Sequence, residues 1–502
     1  MCGCDVRASV LHGAKDLRVQ NRDLPAPEPA EVQVAVKATG LCGSDLHYFS
    51  HYRNGDILVR EPMTLGHESA GVVTAVGAEV STLKVGDRVA LEVGLPCEQC
   101  GLCKEGRYNI CKGMKFRSSA KAFPHFQGTL QDRINHPAKW VHKLPENVSL
   151  EYGALVEPLS VAMHARDRAN LKPGATVLIL GAGAVGLLCA AAAKVSGAKS
   201  VVIADIQEDR VNFAVQNGFA DAAVVVPMAR PETIEDKLAY AKDLAAKIGA
   251  TEVKGEAIGE VSVTFECTGV ESCMQTAIYS TQAGGKVMII GMGNPIQTLP
   301  LSAAALREVD LVGVFRYANT YPEVINMLAS KNAALPDVGR LITQRYNGFD
   351  EIPEAFKMAG QVKDDKGNLV LKVMVARHDN RTSNVFHTSI QYLHAAQGEN
   401  ATHVIKVGGE LWVNGSRTTN PTGNGLGRDL SKGSYSALSE TVEWYGSEYD
   451  EIVMRWAKNT TDVSPDYGAE NQARLLNISR NYDPGRVFQM LLPGGFKNGL
   501  RT

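Results

Sequence analysis

The sequence predicts an α/β protein with a β-rich domain, a doubly wound parallel sheet and an extra α+β C-terminal segment. Short apolar runs separated by Gly and Asp, such as EVQVAVKATG, AGVVTAVG and DRVALEVG, indicate strands up to about residue 155. From about residue 172, ATVLILGAGAVGLLCAAAAKVSGAKSVVIADI has the order strand, glycine turn, helix, strand. Further strands, VSVTFECTG and GKVMIIGMG, alternate with helical segments, as a parallel sheet covered by helices requires.

The change in composition and in apolar pattern along the chain predicts the domain boundaries. We expect residues 1–155 and 295–378 to form one discontinuous β-rich domain, and residues 156–294 to form the parallel-sheet domain. Residues 379–502 contain no Cys and include NGSRTTNPTGNGLGRD, a Gly-, Asn- and Pro-rich stretch that is typical of a long surface loop. A different segment therefore begins near residue 379.

The composition limits the classes of partner. The chain has 502 residues, a formal net charge of −2 and 21% charged residues, so it lacks the global basic field that would hold nucleic acid or an anionic membrane surface. Its start, MCGCDVRASVLHGAKDL, has no apolar run like that of a secretory signal, and no stretch of eighteen apolar residues occurs. We therefore expect a cytoplasmic protein that binds neither nucleic acid nor membrane.

Four cysteines are crowded into the stretch CEQCGLCKEGRYNIC, with the spacing C-x2-C-x2-C-x7-C: Cys97, Cys100, Cys103 and Cys111. Four thiolates can close a tetrahedral shell around Zn²⁺, and a shell filled by protein leaves no position for a substrate. A dithiol redox pair more typically has one CxxC at a helix N-terminus, and iron–sulfur clusters have other spacings. The spacing therefore favours a structural zinc site.

A second set of metal-binding side chains is dispersed over two stretches. CGSDLHY contributes Cys42 and Asp45, and TLGHESAGVV contributes His67 and Glu68. One Cys, one His and one carboxylate make an open zinc site that keeps a position for water or an alcohol oxygen. Asp45 is a candidate acceptor for the ring N–H of His67, and the alternative is that it only shapes a turn.

The stretch GAGAVG indicates a dinucleotide site. It supplies Gly181, Gly183 and Gly186 between a predicted strand and a predicted helix, and Asp205 closes the next strand about twenty residues on. Glycines let the backbone approach a pyrophosphate at the helix N-terminus, where the N–H groups favour negative charge. Asp205 would accept hydrogen bonds from a ribose diol and repel a 2′-phosphate, so NAD is favoured over NADP.

Several stretches together resemble the zinc-dependent medium-chain dehydrogenase/reductase superfamily. GHESAGVVTAVGAEV fits its signature G-H-E-x2-G-x5-G-x2-V. CGSDLHY, EPMTLGHES, GRYNIC, HKLPENVSLEYGALVEPLSVAMHA and REVDLVGVFRYANTYP are similar to its polyol branch, the sorbitol, xylitol and L-arabinitol dehydrogenases. The resemblance extends over residues 7–377. It implies a GroES-like zinc domain, a Rossmann domain that binds NAD, oxidation of a polyol to a ketose, and a homo-tetramer.

The resemblance also implies residue roles. Cys42, His67 and Glu68 would hold a catalytic zinc ion, with Glu157 of VEPLS beside the metal, acting through water or by exchange. Ser44 would pass the proton outward, unless it is only a helix N-cap. The residues implied to line the substrate cleft are Tyr48, Phe116, Arg316 and Tyr317, and those implied to bind NAD besides the glycines are Val185, Asp205 and Arg210. For Arg316 the alternative is a structural ion pair.

The end of the chain carries a second resemblance. YGAENQARLLNISRNYDPGRVFQMLLPGGFK is similar to the closing segment of berberine-bridge-type FAD-linked oxidases. The flavin-attachment positions of that family have no counterpart here, so we do not predict FAD. We expect residues 379–502 to be a fused fragment.

Three alternatives remain open at this point. A threonine or secondary-alcohol dehydrogenase would have the same fold. A flavin-dependent oxidase would account for the C-terminal segment, and a non-catalytic binding module would use the crowded cysteines as a finger. The negative net charge and the second metal-binding set disfavour that module.

Overall fold

The computed structural model describes residues 4–229, 231–330 and 332–376, together with four strands in the C-terminal part of the chain. The chain divides into two units, Met1–Arg377 and His378–Thr502. The candidate site lies in the first unit, which is built from a β-rich region and a parallel-sheet region.

The strands of the described part are, in chain order, β1 Cys4–Gly13, β2 Asp16–Leu24, β3 Glu31–Gly40, β4 Arg53–Asn54, β5 Ile57–Leu58, β6 Met63–Thr64, β7 Glu68–Val76, β8 Arg88–Leu91, β9 Gly94–Leu95, β10 Lys115–Phe116, β11 Arg133–Pro137, β12 Val141–Lys143, β13 Thr176–Leu180, β14 Ser200–Asp205, β15 Ala222–Val225, β16 Glu252–Val253, β17 Glu256–Ala257, β18 Val261–Glu266, β19 Thr281–Ile289, β20 Asp310–Gly313, β21 Ile342–Asn347, β22 Lys372–Ala376, β23 Gln391–Ala395, β24 Thr402–Val407, β25 Glu410–Val413 and β26 Ser416–Arg417.

The α-helices of the same part are α1 Gly43–His51, α2 Gly101–Lys104, α3 Leu150–Ala169, α4 Ala184–Val195, α5 Glu208–Gln216, α6 Ile234–Gly249, α7 Glu271–Ser280, α8 Leu301–Ala305, α9 Tyr321–Ala329 and α10 Ile352–Ala359. Short 3₁₀ turns lie at Tyr108–Ile110, Ala138–Trp140 and Val338–Leu341.

The β-rich region is formed by strands from both ends of the first unit. Its larger sheet has the order β12-β8-β7-β3-β22-β21, with β11 paired to β3. A smaller sheet has the order β2-β1-β6. Because β22 pairs antiparallel with the end of β3, residues near position 372 lie close to residues 38–41 and to the start of β7. This pairing places a late strand beside the candidate metal site.

The parallel-sheet region has the order β15-β14-β13-β18-β19-β20, and every neighbouring pair is parallel. The order reverses direction between β13 and β18, and ligands of such sheets bind outside the carboxyl ends of the strands at this switch point. The predicted Rossmann sheet is therefore confirmed.

One predicted boundary differs from the structure. The parallel-sheet domain was expected to end at residue 294, but β20 pairs parallel with β19, Lys286 being opposite Asp310. The strand is only four residues long and follows a short helix, so its apolar run LVG is a weak sequence signal. We propose that the parallel-sheet domain continues to about residue 313 before the chain returns to the β-rich domain.

Helix α3 contributes to the cores of both regions. It begins after Ser149, whose side chain accepts a hydrogen bond from the Tyr152 N–H, and it ends at Asn170 in the left-handed conformation. Its buried apolar residues, which include Leu155 and Leu159, belong to a core shared with strands of the β-rich sheet and with β13 and α4. Burial of this face fixes the orientation of α3 and of Glu157, the buried acidic residue that it carries.

The second unit is described only through four short strands. They form an antiparallel sheet in the order β23-β24-β25-β26. The stretch that is similar to FAD-linked oxidases lies outside the described residues. In the part of the chain that the structure describes, no helix is long and apolar enough to cross a membrane.

Candidate metal and cofactor site

The dispersed metal-binding residues converge in the fold. Cys42 immediately precedes α1, His67 lies in the turn before β7, and Glu68 is the first residue of that strand. Their candidate ligand atoms all lie within 4.8 Å of one another. Gly66 has a φ of +92°, and a Cβ there would stand 2.9 Å from the Leu130 side chain, so this turn requires glycine. A soft thiolate, an imidazole and a carboxylate in one place suit Zn²⁺.

Asp45 lies beside His67, for whose ring N–H it was the predicted acceptor. Its carboxylate is fully buried and accepts hydrogen bonds from the Gly66 N–H at 3.1 Å and the Ser118 hydroxyl at 2.5 Å. Oδ1 of Asp45 lies 3.3 Å from Nδ1 of His67, close enough for attraction although the angle is not that of a hydrogen bond. Nε2 is thereby left for a metal. The interpretation of Asp45 as a simple turn residue does not account for these contacts.

The protonation of the His67 ring reflects two opposing effects. Burial disfavours the charged imidazolium, but the neighbouring Asp45 and Cys42 outweigh burial and raise the pKa of His67 well above its usual value. A cation is therefore favoured at this position. Zn²⁺ would take the place of the proton, because metal ligation requires the neutral ring.

The sequence did not predict Lys372. It lies on β22, is only 4% exposed, and its Nζ donates to both carboxylate oxygens of Glu68 at 2.7 and 2.8 Å. Nζ also donates to the Leu41 carbonyl at 3.3 Å. The burial of Glu68 is thus compensated by an ion pair. The only sequence signal is one Lys within the apolar run LVLKVMVA.

Replacing Lys372 by Met is expected to lower the free energy of unfolding by about 3–5 kcal/mol in zinc-depleted protein, because the Glu68 carboxylate is left buried without a cation. The loss should be smaller with zinc present, since the metal supplies positive charge to the same carboxylate. Urea unfolding with and without a chelator measures both values. Lys199→Met is the control: both members of its pair with Glu256 are exposed, so its loss is expected to stay below about 1 kcal/mol in both conditions. Equal losses for Lys372→Met in both conditions would contradict the prediction.

Glu157 lies near these residues but outside their cluster of ligand atoms. It is carried by α3, directly before Pro158, and is 5% exposed. Burial, assisted by Glu68, raises the pKa of Glu157 to about 7, while His67, Lys372 and Arg316 oppose the increase. A carboxyl group with this pKa can accept and release a proton near neutral pH.

The predicted substrate residues lie around the same place. The Arg316 Cζ stands 3.6 Å from the centroid of the Phe116 ring, and that ring is 5.6 Å from the ring of His67. Among the described residues Arg316 contacts no carboxylate at ion-pair distance, so the alternative of a structural ion pair finds no support. The Tyr317 hydroxyl is buried and has no hydrogen-bond partner among the described residues. The Tyr48 hydroxyl accepts from the Ala120 N–H at 3.2 Å.

Ser44 lies inside the first turn of α1. The helix begins after Cys42, so Ser44 is not its N-cap. Its side chain is half-buried and is two residues from Cys42. The alternative that Ser44 is the helix N-cap is therefore wrong. The role of Ser44 in proton transfer stays a prediction.

The crowded cysteines form a separate cluster. Neighbouring sulfur atoms lie at 3.4, 3.5, 3.8 and 4.0 Å: Cys97 to Cys111, Cys100 to Cys103, Cys100 to Cys111, and Cys97 to Cys103. A tetrahedron with Zn–S bonds of about 2.3 Å has edges of about 3.8 Å, so the four sulfurs fit zinc. Backbone N–H groups of Gln99 and Cys100 lower the pKa of Cys97 to about 6. At least one thiolate is therefore readily available to a metal.

The glycine stretch follows β13 and opens α4. Gly181 has a φ of +98°, and a Cβ at Gly186 would stand 1.8 Å from the Gly181 carbonyl oxygen, so the turn admits no side chain at either position. Gly183 is the N-cap of α4, and Val185 lies in its first turn. The helix N-terminus is therefore open to an anionic group.

Asp205 ends β14 beside this turn. Oδ2 accepts from the Ala182 N–H at 2.7 Å and Oδ1 accepts from the Gln207 N–H at 2.8 Å. The carboxylate thus holds the turn in shape and keeps lone pairs for a ribose diol. Nε of Arg210 on α5 is buried without a hydrogen-bond partner among the described residues. An unpartnered guanidinium nitrogen next to this region fits a ligand that carries acceptors.

Comparison with known proteins agrees with this arrangement. The family model for the alcohol dehydrogenase GroES-like domain matches residues 28–146, and the model for zinc-binding dehydrogenases matches residues 184–330. Sorbitol dehydrogenase of Arabidopsis thaliana is 43% identical over 369 residues, which are 73% of this chain and 94% of the relative. L-idonate 5-dehydrogenase of Vitis vinifera is 41% identical, over 73% of this chain and 93% of that protein.

A solved structure shows the same fold. That of L-idonate 5-dehydrogenase from Escherichia coli has a TM-score of 0.62 and 28% identity, covering 74% of this chain and 99% of that one. This chain belongs to the zinc-binding alcohol dehydrogenases with a GroES-like domain. Within that family it falls in the polyol branch, beside the sorbitol dehydrogenases, and Zn²⁺ and NAD are its cofactors.

Proposed function

We propose that this protein oxidises a polyol of the sorbitol, xylitol or L-arabinitol type to the corresponding ketose, with transfer of a hydride to NAD. The observation that supports it best is the position of Arg316. Its guanidinium lies over the Phe116 ring, close to the cluster of Cys42, His67 and Glu68. A guanidinium free of carboxylates offers fixed donors to a chain of hydroxyl groups, which a simple alcohol would leave unused.

Cys42, His67 and Glu68 would hold the catalytic zinc ion, with Glu157 beside it. Zinc bound there lowers the pKa of a hydroxyl group. Glu157, with its pKa raised to about 7, is suited to hold a proton in the buried part of the site. Ser44 is half-buried on the same helix as Tyr48 and is suited to pass a proton towards solvent.

Residues of the parallel-sheet region would bind NAD. The N-terminus of α4, including Val185, would receive the pyrophosphate of NAD, and Asp205 and Arg210 would bind the adenosine half. Ligands of such sheets bind at the switch point between β13 and β18, so NAD would lie outside the carboxyl ends of these two strands.

Replacing Asp205 by Ser is expected to lower the preference for NAD over NADP by at least about tenfold, because a 2′-phosphate no longer meets a carboxylate. The ratio of kcat/KM for the two cofactors measures this. Asp209→Ser is the matched control, because Asp209 is a nearby carboxylate on α5 that pairs with Lys363. An unchanged ratio in Asp205→Ser would contradict the role of this residue.

A sugar acid is a second candidate substrate. Arg316 has no carboxylate partner among the described residues, so it could bind the carboxylate of a polyhydroxy acid. Two relatives are L-idonate 5-dehydrogenases, which agrees with this candidate. A threonine or other secondary-alcohol substrate has no comparable observation in its favour.

The test is a substrate panel combined with metal analysis. Sorbitol, xylitol, L-arabinitol and L-idonate are supplied with NAD, and formation of NADH and of the keto product is measured for the full chain and for a chain ending at residue 378. We expect two zinc ions per chain, oxidation of at least one polyol, and equal activity of the shortened chain. Oxidation of none of the polyols would contradict the polyol proposal, and a yellow purified protein would favour a flavin oxidase. Sedimentation and cell fractionation test the proposed tetramer and the proposed cytoplasmic location.

A further inference from the structure

The loop between β20 and α9 carries Arg316 and Tyr317 in an unusual backbone conformation. Arg316 has a φ of +53° and Asn319 a φ of +62°, both in the left-handed region. This region is unfavourable for an ordinary L-residue and less so for Asn. Such a conformation persists only where neighbouring groups hold it. The groups that hold this loop therefore decide where the Arg316 guanidinium lies.

The neighbouring groups belong to the segment enclosed by the crowded cysteines. Nδ2 of Asn109 donates to the Phe315 carbonyl at 2.8 Å, at the start of the loop. At its end, the Asn319 N–H donates to the Tyr108 hydroxyl at 2.7 Å, and Nδ2 of Asn319 donates to the Gly106 carbonyl at 2.8 Å. Both ends of the loop are thus attached to residues 106–109.

Residues 106–109 are themselves held in place. They lie between Cys103 and Cys111, so a metal bound by the cysteines would fix both of their flanks. The Tyr108 hydroxyl also donates to Oε1 of Glu92 at 2.7 Å, and its ring packs edge-on against Trp140 with centroids 5.0 Å apart. Glu92 is 2% exposed, so this attachment point is inside the β-rich region.

We propose that the four-cysteine lobe, residues 97–111, positions the Arg316 loop, residues 315–320, and thereby sets the affinity for substrate. Tyr108, Asn109 and Asn319 are positioning residues that act through Arg316. The effect on substrate rests on the proposed function, whereas the attachment of the loop does not. The lobe thus acts on substrate binding without providing any group that touches the reacting atoms.

The test is the double variant Tyr108→Phe/Asn319→Gly. Phe keeps the packing on Trp140, and Gly accepts the left-handed backbone, so the changes remove the two bonds at the end of the loop without imposing strain, and the Asn109 bond at its start remains. We expect KM for the best polyol to increase about tenfold, while KM for NAD and kcat stay within about twofold, as expected for lost uniform binding. Hydrogen exchange of residues 313–321 should become faster.

Tyr152→Phe is the matched control. Tyr152 is also half-buried, and its hydroxyl donates to Asp337, which is distant in sequence. Its loss should leave KM for the polyol and exchange at residues 313–321 unchanged. If the double variant keeps the parent KM while the parent oxidises polyols, the proposal is overturned. If the parent oxidises no polyol, the proposed function fails. Hydrogen exchange of residues 313–321 then tests the attachment of the loop: faster exchange in the double variant supports it, and unchanged exchange overturns it.

Discussion

Replacing Cys42 by Ser is expected to remove one of two zinc ions per chain and to lower kcat/KM for the polyol by at least about a thousandfold, or about 4 kcal/mol of transition-state stabilisation. Cys42 supplies the thiolate of a cluster whose other members, His67 and Glu68, are almost fully buried. A hydroxyl group is a much poorer zinc ligand than a thiolate. The remaining ligands leave the metal weakly bound, so the chemistry that zinc supplies is lost.

The variant should otherwise remain a folded, cofactor-binding protein. Cys42 lies at the start of α1 and outside the parallel sheet, so NADH binding measured by fluorescence should be unchanged. Cys273→Ser is the control, because Cys273 is partly buried on α7 and belongs to neither cysteine cluster. It should keep two zinc ions and parent activity. A Cys42→Ser protein with two zinc ions and parent kcat/KM would refute the assignment of this residue.

The parts of the fold that have strong local signals could be predicted from the sequence. The glycine turn GAGAVG between an apolar strand and a helix predicts the order seen in β13, α4 and β14, because only glycine fits the close approach at Gly186. The four crowded cysteines likewise converge as their spacing predicts. Cys42, His67 and Glu68 come from two short stretches, and the resemblance to a family, rather than their spacing, indicated that they meet.

The features that were missed depend on contacts between distant parts of the chain. Lys372 is 304 residues from Glu68, and their pairing follows from the register of β22 on β3, which no local pattern specifies. The attachment of Asn319 to Tyr108 joins an irregular loop to a 3₁₀ turn, and the two residues are 211 positions apart. Both pairs use polar side chains that look like ordinary surface residues in sequence. For Lys372 and Glu68 the energetic importance arises from burial, which is a property of the folded chain. Asn319 is exposed, and its bonds matter through the loop conformation that they hold.

Replacing Cys97 by Ser is expected to remove the other zinc ion and to lower the free energy of unfolding by several kcal/mol, because structural zinc contributes folding free energy directly. Cys97 is exposed, so the substitution removes little packing, and any large loss is attributable to the metal. Backbone N–H groups of Gln99 and Cys100 lower the pKa of the Cys97 thiol to about 6, so this sulfur readily becomes a thiolate near neutral pH.

The comparison of Cys97→Ser with Cys42→Ser separates the two clusters. Both variants should contain one zinc ion per chain. Cys97→Ser should lower the midpoint of thermal unfolding strongly and keep measurable kcat. Cys42→Ser should lose activity and keep a midpoint close to that of the parent. Cys97→Ser should also raise KM for the polyol, since the segment that holds Asn319 is loosened. Full zinc content together with unchanged thermal stability in Cys97→Ser would contradict a structural site. The crowded cysteines affect substrate only through the loop that they hold, so stability and KM should change together in this variant.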